Sequence, residues 1–487
     1  EISLDEMKIA LKQLKNNRAP GDDAIQSELF KIFDTKSIEY LRNIFNEILK
    51  SEVLPSQWLC STIILIHKKG SKADIKNYRP ITKISHLYKF FMRVILNRIS
   101  PTLSAHQPKT QAGFKKGFSV HDHLLVMNQL IEKSNEYQLP LYLGFLDYEK
   151  AFDSVEHVFI WRALKNQDVA NKYIRIFKYI YNNSYAKLNV NGIDGRIFKI
   201  GRGVKQGDLT SPELFIATQE EIFKQVDWSQ AGIEIDGEKL TELRLADDTT
   251  IIANSKMGLE HAINDLAAKS ENVGLKMNTN KTKVLTNTDD DNFNILDENI
   301  EKVNNIKYLG QHLSFDNCME DEINKRVASA WRAFWSMKEF FYGSLPISHK
   351  SRLLEKCILP VLTYGAQSWT LTEDLKNKLR VAQHDMERKI LNIRRIHKIS
   401  IKKIRKLTKS TDVIDRAMNL KWNFAGHIQR YTDGRWTKRV ENWVPNSRRR
   451  RGRPKARWCD YFVENETVLW RHKAQKREQW RKGNPIR

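Results

Sequence analysis

Cysteine is scarce: the 487 residues hold four (Cys60, Cys318, Cys357 and Cys459), all far apart. That spacing supplies neither the paired thiols of a zinc knuckle nor a disulfide framework, so reduced structural thiols are expected. No apolar run approaches the roughly 18 residues that span a bilayer, and the first residues lack the charged-then-apolar order of a secretory signal, so neither membrane insertion nor secretion is expected. No internal repeat is visible. Acidic residues are also in short supply, with 58 Asp and Glu against 82 Lys and Arg, a formal charge of +24. Such a surplus favours a polyanionic partner, nucleic acid first. It is uneven: residues 435–487 carry 17 Lys or Arg against 5 Asp or Glu. The chain is long enough for two to four domains of ordinary size, at roughly 100 to 200 residues each. It opens at Glu1 instead of Met, which is read as a piece of a longer polypeptide or a processed product.

What is present is a set of acids at strand ends. Leu141, Leu143 and Phe145 alternate before Asp147, and Leu243 and Leu245 alternate before Ala246, Asp247 and Asp248. Both segments read as half-buried strands that deliver carboxylates to one edge. Carboxylate oxygens are what magnesium prefers. Two such ions about 3.5 to 4 Å apart can activate a primer 3′-hydroxyl and steady a leaving pyrophosphate, which is nucleotidyl transfer. Taken alone, the Asp247–Asp248 pair fits an ordinary hairpin turn equally well; the remaining segments decide between the two.

Residues 1–60 read as a helical lead-in, with Leu4, Met7, Leu11 and Leu14 at helical spacing. A strand over 63–66 runs into His67, Lys68, Lys69 and Gly70, and a loop then presents Asn77 to Ile81. Basic side chains there suit a triphosphate clamp. Residues 286–300, with Asp289, Asp290 and Asp291, read as an exposed acidic loop. Beyond them Ile323, Val327, Ala330, Phe334 and Met337 make a helical stripe, and helical patterns continue to about Ile428. The arginine run 447–454 reads as too charged to pack.

Nine short motifs occur in order: Ala19-Pro-Gly-Asp-Asp; Ile64-Leu-Ile-His-Lys-Lys-Gly; Asn77-Tyr-Arg-Pro-Ile; Gln111-Ala-Gly-Phe-Lys-Lys-Gly; Phe145-Leu-Asp-Tyr-Glu-Lys-Ala-Phe-Asp; Gly203-Val-Lys-Gln-Gly-Asp; Leu245-Ala-Asp-Asp; Gly274-Leu-Lys-Met-Asn; and Tyr308-Leu-Gly. Together, over about residues 17–310, they resemble the reverse transcriptase of non-LTR (LINE-type) retrotransposons. Group II intron maturases and telomerase-like enzymes share such a palm, but the first and sixth motifs and the long gap between the acids resemble the LINE type more. The resemblance implies an α+β right-hand polymerase of fingers, palm and thumb with an antiparallel palm sheet. The expected divisions are 1–60 lead-in, 61–305 fingers and palm, 306–430 helical thumb or connection, and 431–487 a basic, Trp-rich, nucleic-acid-binding extension.

By the same resemblance the metal triad is Asp147, Asp247 and Asp248, with Asp248 either an inner ligand or an outer partner and the Tyr148 main chain completing a shell. The ions expected are two magnesium, with manganese as the alternative. Lys68, Lys69 and Arg79 match the positions that hold the incoming deoxynucleoside triphosphate, which of the two lysines being left open. Phe152 matches the aromatic ring that excludes a 2′-hydroxyl by bulk. Lys281 matches a lysine that protonates the leaving pyrophosphate. Gly203, Gln206 and Gly207 resemble the loop under the nascent base pair, and Lys115 and Lys116 lie in a loop suited to the template backbone. The function implied is RNA-directed DNA polymerisation on an RNA template from a DNA primer, with target-primed synthesis, in a ribonucleoprotein of nucleus and cytoplasm. The rival is an inactive or domesticated binding protein descended from such an element. Two departures, Leu245 for an aromatic residue and Leu209-Thr210 in inverted order, remove no catalytic group.

In the tail, Arg448, Arg449, Arg450, Arg451 and Arg453 are expected to contact phosphates. Six of the twelve tryptophans lie from Trp422 onward. They read either as stacking platforms for unpaired bases or as the core of a small helical cap. Pro454-Lys-Ala-Arg-Trp resembles the tail of several LINE-type proteins, without a role that the sequence reveals. With no Cys-His cluster in the tail, the endonuclease such elements need is expected upstream.

Overall fold

The computed structural model describes residues 1–316, 318–452 and 455–486. Two four-stranded sheets organise the first 300 residues. In the first, β1 (Cys60–His67) pairs antiparallel with β2 (Tyr78–Lys83) and parallel with β4 (Tyr185–Val190), whose other edge carries β5 (Ile193–Lys199). Beside it, the helices of residues 1–60 pack on the long helix His86–His106. Phe45, Trp58, Tyr88, Phe90 and Phe91 interlock there largely edge-on, with Phe45 5.3 Å from both Phe90 and Phe91. Such pairs add about 0.5–1.5 kcal/mol each beyond the area they bury.

The second sheet carries the acids. Its order is β10-β3-β9-β8, with β3 Tyr142–Leu146, β8 Glu242–Leu245, β9 Asp248–Ala253 and β10 Lys283–Thr286, all antiparallel; a small hairpin, β6 (Ile233–Ile235) and β7 (Glu238–Leu240), precedes β8. This is the antiparallel palm sheet. β3 is buried on both faces, not half-buried. Gly144 lets the helix Lys256–Glu271 press close on one face, since a Cβ there would sit 2.7 Å from the Ile263 Cδ1. On the other face Leu141, Leu143 and Phe145 pack with Tyr308, Trp436 and Val440. The signal was an unbroken apolar run over 141–146, which marks a strand covered on both sides.

The acidic stretch 286–300 is not an exposed loop. It folds back as a hairpin, Phe293–Ile295 against Glu298–Ile300, whose Phe293, Ile295 and Ile300 are buried in the main core, while Asp290 accepts a hydrogen bond from the Tyr142 hydroxyl. The three apolar side chains outweigh the solvated acids around them. Helices follow from Cys318–Ser336 to Val413–Gln429, with Ile323, Ala330 and Phe334 buried as the stripe requires.

The tail also packs. Trp422, Trp458, Trp470 and Trp480 share one buried cluster with Phe462. Trp422 and Trp480 stack at 4.0 Å and 11°, and each indole N–H donates to the other residue's carbonyl. These rings are core, not base-stacking platforms. A boundary near 431 therefore cuts through a core shared by residues on both sides of it. Arg457 forks onto Glu136 and the Trp458 amide donates to Glu132, so Arg457-Trp458 fastens the tail to the helix Val120–Tyr137 beside the palm. Trp480→Ala is expected to cost about 3–5 kcal/mol, the usual range for emptying a buried aromatic site, read as a lowered melting temperature and early proteolysis after Gln429.

Candidate active site

The β8–β9 hairpin turns through Ala246 and Asp247, pairing Leu245 with Asp248. Ala246 has φ +58°, a left-handed conformation that a Cβ disfavours and that clusters at functional turns. A brace holds it. The buried Gln111 Oε1 accepts the amides of both Gly113 (2.7 Å) and Ala246 (3.1 Å), and the Ala112 amide donates to the Arg244 carbonyl. Gly113 passes so close that a Cβ would lie 2.4 Å from the Ala246 nitrogen. The loop beginning at Gln111 is thus a support under the acid turn before it is anything else.

The antiparallel register between β3 and β9 pairs Leu146 with Thr249, and one further step sets Asp147 opposite Asp248. Asp147 is held from its other side: its carbonyl accepts the Asn278 amide at 2.8 Å, and the Glu149 amide donates to the Lys276 carbonyl. The segment 274–278 is therefore the backbone partner of residues 147–149, which places Lys281 Nζ 2.9 Å from Asp147 Oδ2.

Protein crowds the acids although their oxygens meet solvent. Burial raises the pKa of Asp247, and Asp147 raises it further while Lys68 and Arg79 oppose. Asp248 is pushed up to about 6 by burial first, then by Asp247 and Asp147, with Lys68 opposing. Mutual repulsion of three carboxylates is what a bound cation relieves, and their oxygens are hard donors that suit magnesium. The chemistry of the set fits a divalent ion, although among the described residues no three His, Cys, Asp or Glu side chains converge into a formed metal cluster. Lys68 acts on both acids and Arg79 on Asp247, so both cations lie near the acid turn.

Phe152 is half-buried and stacks on Phe215 at 4.5 Å and 16°, fixed by a hydrogen bond from the Val204 amide to its carbonyl. Gln206 donates to Asp153 at 2.9 Å, and its carbonyl accepts the Thr82 amide at 2.7 Å. A cleft of about 300 Å³ opens there, walled by Pro80, Thr82, Asp153 and Gln206. The glycines of this loop answer to protein backbone: a Cβ on Gly203 (φ +78°) would meet Asp153 at 2.6 Å, and one on Gly207 (φ +117°) the Thr82 carbonyl at 2.7 Å.

The basic residues expected on nucleic acid divide. Lys115 spends its ammonium on the carbonyls of Gln107 and Pro108, while Lys116 is exposed. Arg449 is pinned to Glu136 and the Tyr137 hydroxyl; Arg448, Arg450 and Arg451 are exposed; Arg453 lies outside the described residues. Sequence reasoning missed Arg244, which is buried, pairs with Glu220 at 2.8 Å and covers the Phe223 ring at 4.1 Å. Its signal was a lone cation between apolar residues of a strand.

A sequence profile described as reverse transcriptase (RNA-dependent DNA polymerase) matches residues 66–313, half of the chain. The chain belongs to the reverse transcriptase family. Members of this family work with divalent metal ions, and this one has the right-hand polymerase fold that its sequence implied. A transposon-derived protein of Caenorhabditis elegans is 30% identical over 268 residues, 51% of this chain and 96% of that one. The Pol polyprotein of the R2 retrotransposable element of Nasonia vitripennis is 28% identical over 284 residues, 58% of this chain and 27% of the polyprotein. The RNA-directed DNA polymerase of the mobile element jockey of Drosophila melanogaster is 25% identical over 410 residues, 80% of this chain and 44% of that protein. The reverse transcriptase chain thus spans less than half of these last two, and its relatives are those of non-LTR elements. A telomerase of Candida tropicalis in complex with a telomeric RNA fragment superposes with a TM-score of 0.40 at 13% identity, over 85% of this chain and 69% of that one, too loosely to inform residue roles.

Proposed function

We propose that the chain is an RNA-directed DNA polymerase of a non-LTR retrotransposon, copying the element's RNA from the 3′-hydroxyl of a nicked DNA target. The observation that carries this reading is the strand register that brings Asp147, at the end of β3, beside the Asp247–Asp248 turn at the start of β9, within a family of reverse transcriptases. Two divalent ions, magnesium by donor chemistry and manganese as the alternative, would be held by these three acids with the Tyr148 carbonyl, and when bound would supply hydroxyl activation and charge neutralisation at the leaving pyrophosphate. Lys68 and Arg79 bind the triphosphate, Arg79 with a two-pronged fork and Lys68 as a point charge. Lys281, beside Asp147, is placed to give a proton to pyrophosphate. Gln206 and Asp153 hold one wall of the nucleotide cleft in place.

Phe152 selects the sugar. Its ring is backed by Phe215 and cannot retreat, so a 2′-hydroxyl meets it as bulk. Phe152→Ala is expected to raise ribonucleotide use at least tenfold relative to deoxynucleotide use, measured as the ratio of the two kcat/KM values; an unchanged ratio removes the gate from Phe152. The proposed function is tested by supplying a nicked duplex, a polyadenylated RNA, magnesium and deoxynucleotides. DNA extended from the nick and templated by the RNA supports it, and extension that ignores the RNA contradicts it.

A further inference from the structure

Outside the palm, the helices Cys318–Ser336 and Lys338–Tyr342 are joined by two parallel aromatic stacks. The inner one, Phe334 on Phe341 at 4.2 Å and 6°, is fully buried and accounts for the packing of the two helices. The outer one rests on it, Trp331 and Trp335 meeting the Phe334 ring edge-on at 5.5 and 5.7 Å, but is itself left open to solvent. Trp331, Trp335 and Tyr342 form a ladder with steps of 6.0 and 6.2 Å and nearly parallel planes, yet Trp335 is 44% exposed and Tyr342 49%. Lys389 lies over the Trp335 ring at 5.0 Å.

The two outer rings of the ladder, Trp331 and Tyr342, border a cleft of about 440 Å³ whose remaining wall is Asn392, Ile393 and four cations, Arg388, Lys389, Arg394 and Arg395, against the single acid Asp385, which two of those arginines already hold at 3.2 and 2.7 Å. Residues 388–411 contain ten Lys or Arg and no Asp or Glu. Several of these, Lys402, Lys403 and Lys406 among them, lie exposed on the short helix Ile401–Thr408, which turns Ile404 inward. An exposed aromatic ladder beside a track with many more cations than acids is the arrangement that binds unpaired nucleotides, because every base offers a π-face and every linkage a phosphate.

We propose that this cleft and the exposed Trp335 ring beside it form a binding site for single-stranded nucleic acid, with bases stacking on Tyr342 and Trp335 and the backbone tracking Arg394, Arg395 and the Ile401–Thr408 helix. The site is separate from the acids of the palm and binds whether or not the chain polymerises. Paired bases keep their faces in the duplex stack, so the ladder discriminates against blunt duplex.

The test is fluorescence anisotropy of the full chain with labelled 15-mers of deoxythymidine and of uridine and with a blunt hairpin duplex. Trp335→Ser combined with Tyr342→Ser is expected to weaken single-strand binding at least tenfold and leave duplex binding unchanged; the strand that loses more identifies the source as RNA or DNA. Trp335→Phe with Tyr342→Phe keeps the rings and is expected to keep the affinity, which separates lost stacking from lost folding. Arg394→Gln with Lys403→Gln is expected to flatten the salt dependence by one to two contacts, at about 0.7 in the log–log slope for each phosphate on a single strand. Single-strand affinity that survives the Ser substitutions, or an equal loss on the duplex, overturns the proposal.

Discussion

Gly113→Ala is expected to lower the rate of nucleotide addition by about a hundredfold or more while the protein stays folded. The added methyl would stand 2.4 Å from the Ala246 nitrogen and 3.0 Å from the Leu245 carbonyl carbon, atoms of the turn that carries Asp247 and Asp248. Neither is the end of a flexible side chain, so the backbone must move. Ala246 already sits at φ +58°, and the Gln111 acceptor that stabilises it would be pushed aside by the same methyl. A displacement near 1 Å between reacting groups is enough to cost about a hundredfold. Single-turnover addition of one deoxynucleotide, with circular dichroism as the folding control, checks it. A rate within threefold of the parent would show that the turn is not held by this contact.

Arg244→Met is expected to destabilise the fold by about 3–5 kcal/mol, the cost of leaving a buried charge without its partner. Arg244 pairs with Glu220 on the helix Ser211–Phe223 and lies 3.6 Å from Glu242 on its own strand. Burial already raises the Glu220 pKa and Arg244 holds it down. Without the arginine it rises further. A carboxyl whose folded pKa exceeds its unfolded one contributes stability that is present at low pH and lost as pH climbs through the folded value. The deficit of Arg244→Met is therefore expected to be larger at pH 8 than at pH 5 in urea unfolding, and Arg244→Met with Glu220→Leu is expected to recover most of it. A deficit independent of pH would show that Glu220 is not the group left exposed by the loss.

The acids were legible because they end short apolar strands. Asp147 follows β3 and Asp248 opens β9, and the β3–β9 register sets them opposite each other. Gln111 was read as part of a template-contacting loop because nothing local shows that its acceptor serves Ala246, 135 residues away. The same distance problem hid Arg457 and Trp458, whose partners Glu136 and Glu132 are more than 300 residues upstream. A tryptophan in a basic stretch looks alike whether it stacks on a base or on another tryptophan; only the fold shows Trp422 against Trp480. The hairpin 293–300 was missed for a different reason. Three acids in a row outweighed the spacing of Phe293, Ile295 and Ile300, although that spacing is what decides burial.

The central claim is that Asp147, Asp247 and Asp248 perform RNA-templated DNA synthesis. Extension of a DNA primer on an RNA template, with magnesium and deoxynucleotides, compares the parent with Asp247→Ala, Asp248→Ala, while filter binding follows the RNA. The account predicts extension by the parent, none by the variant, and RNA binding by both. Extension that persists in the variant would place the chemistry elsewhere, and a parent that binds RNA without extending any primer would make the chain a binding protein that has lost its catalysis.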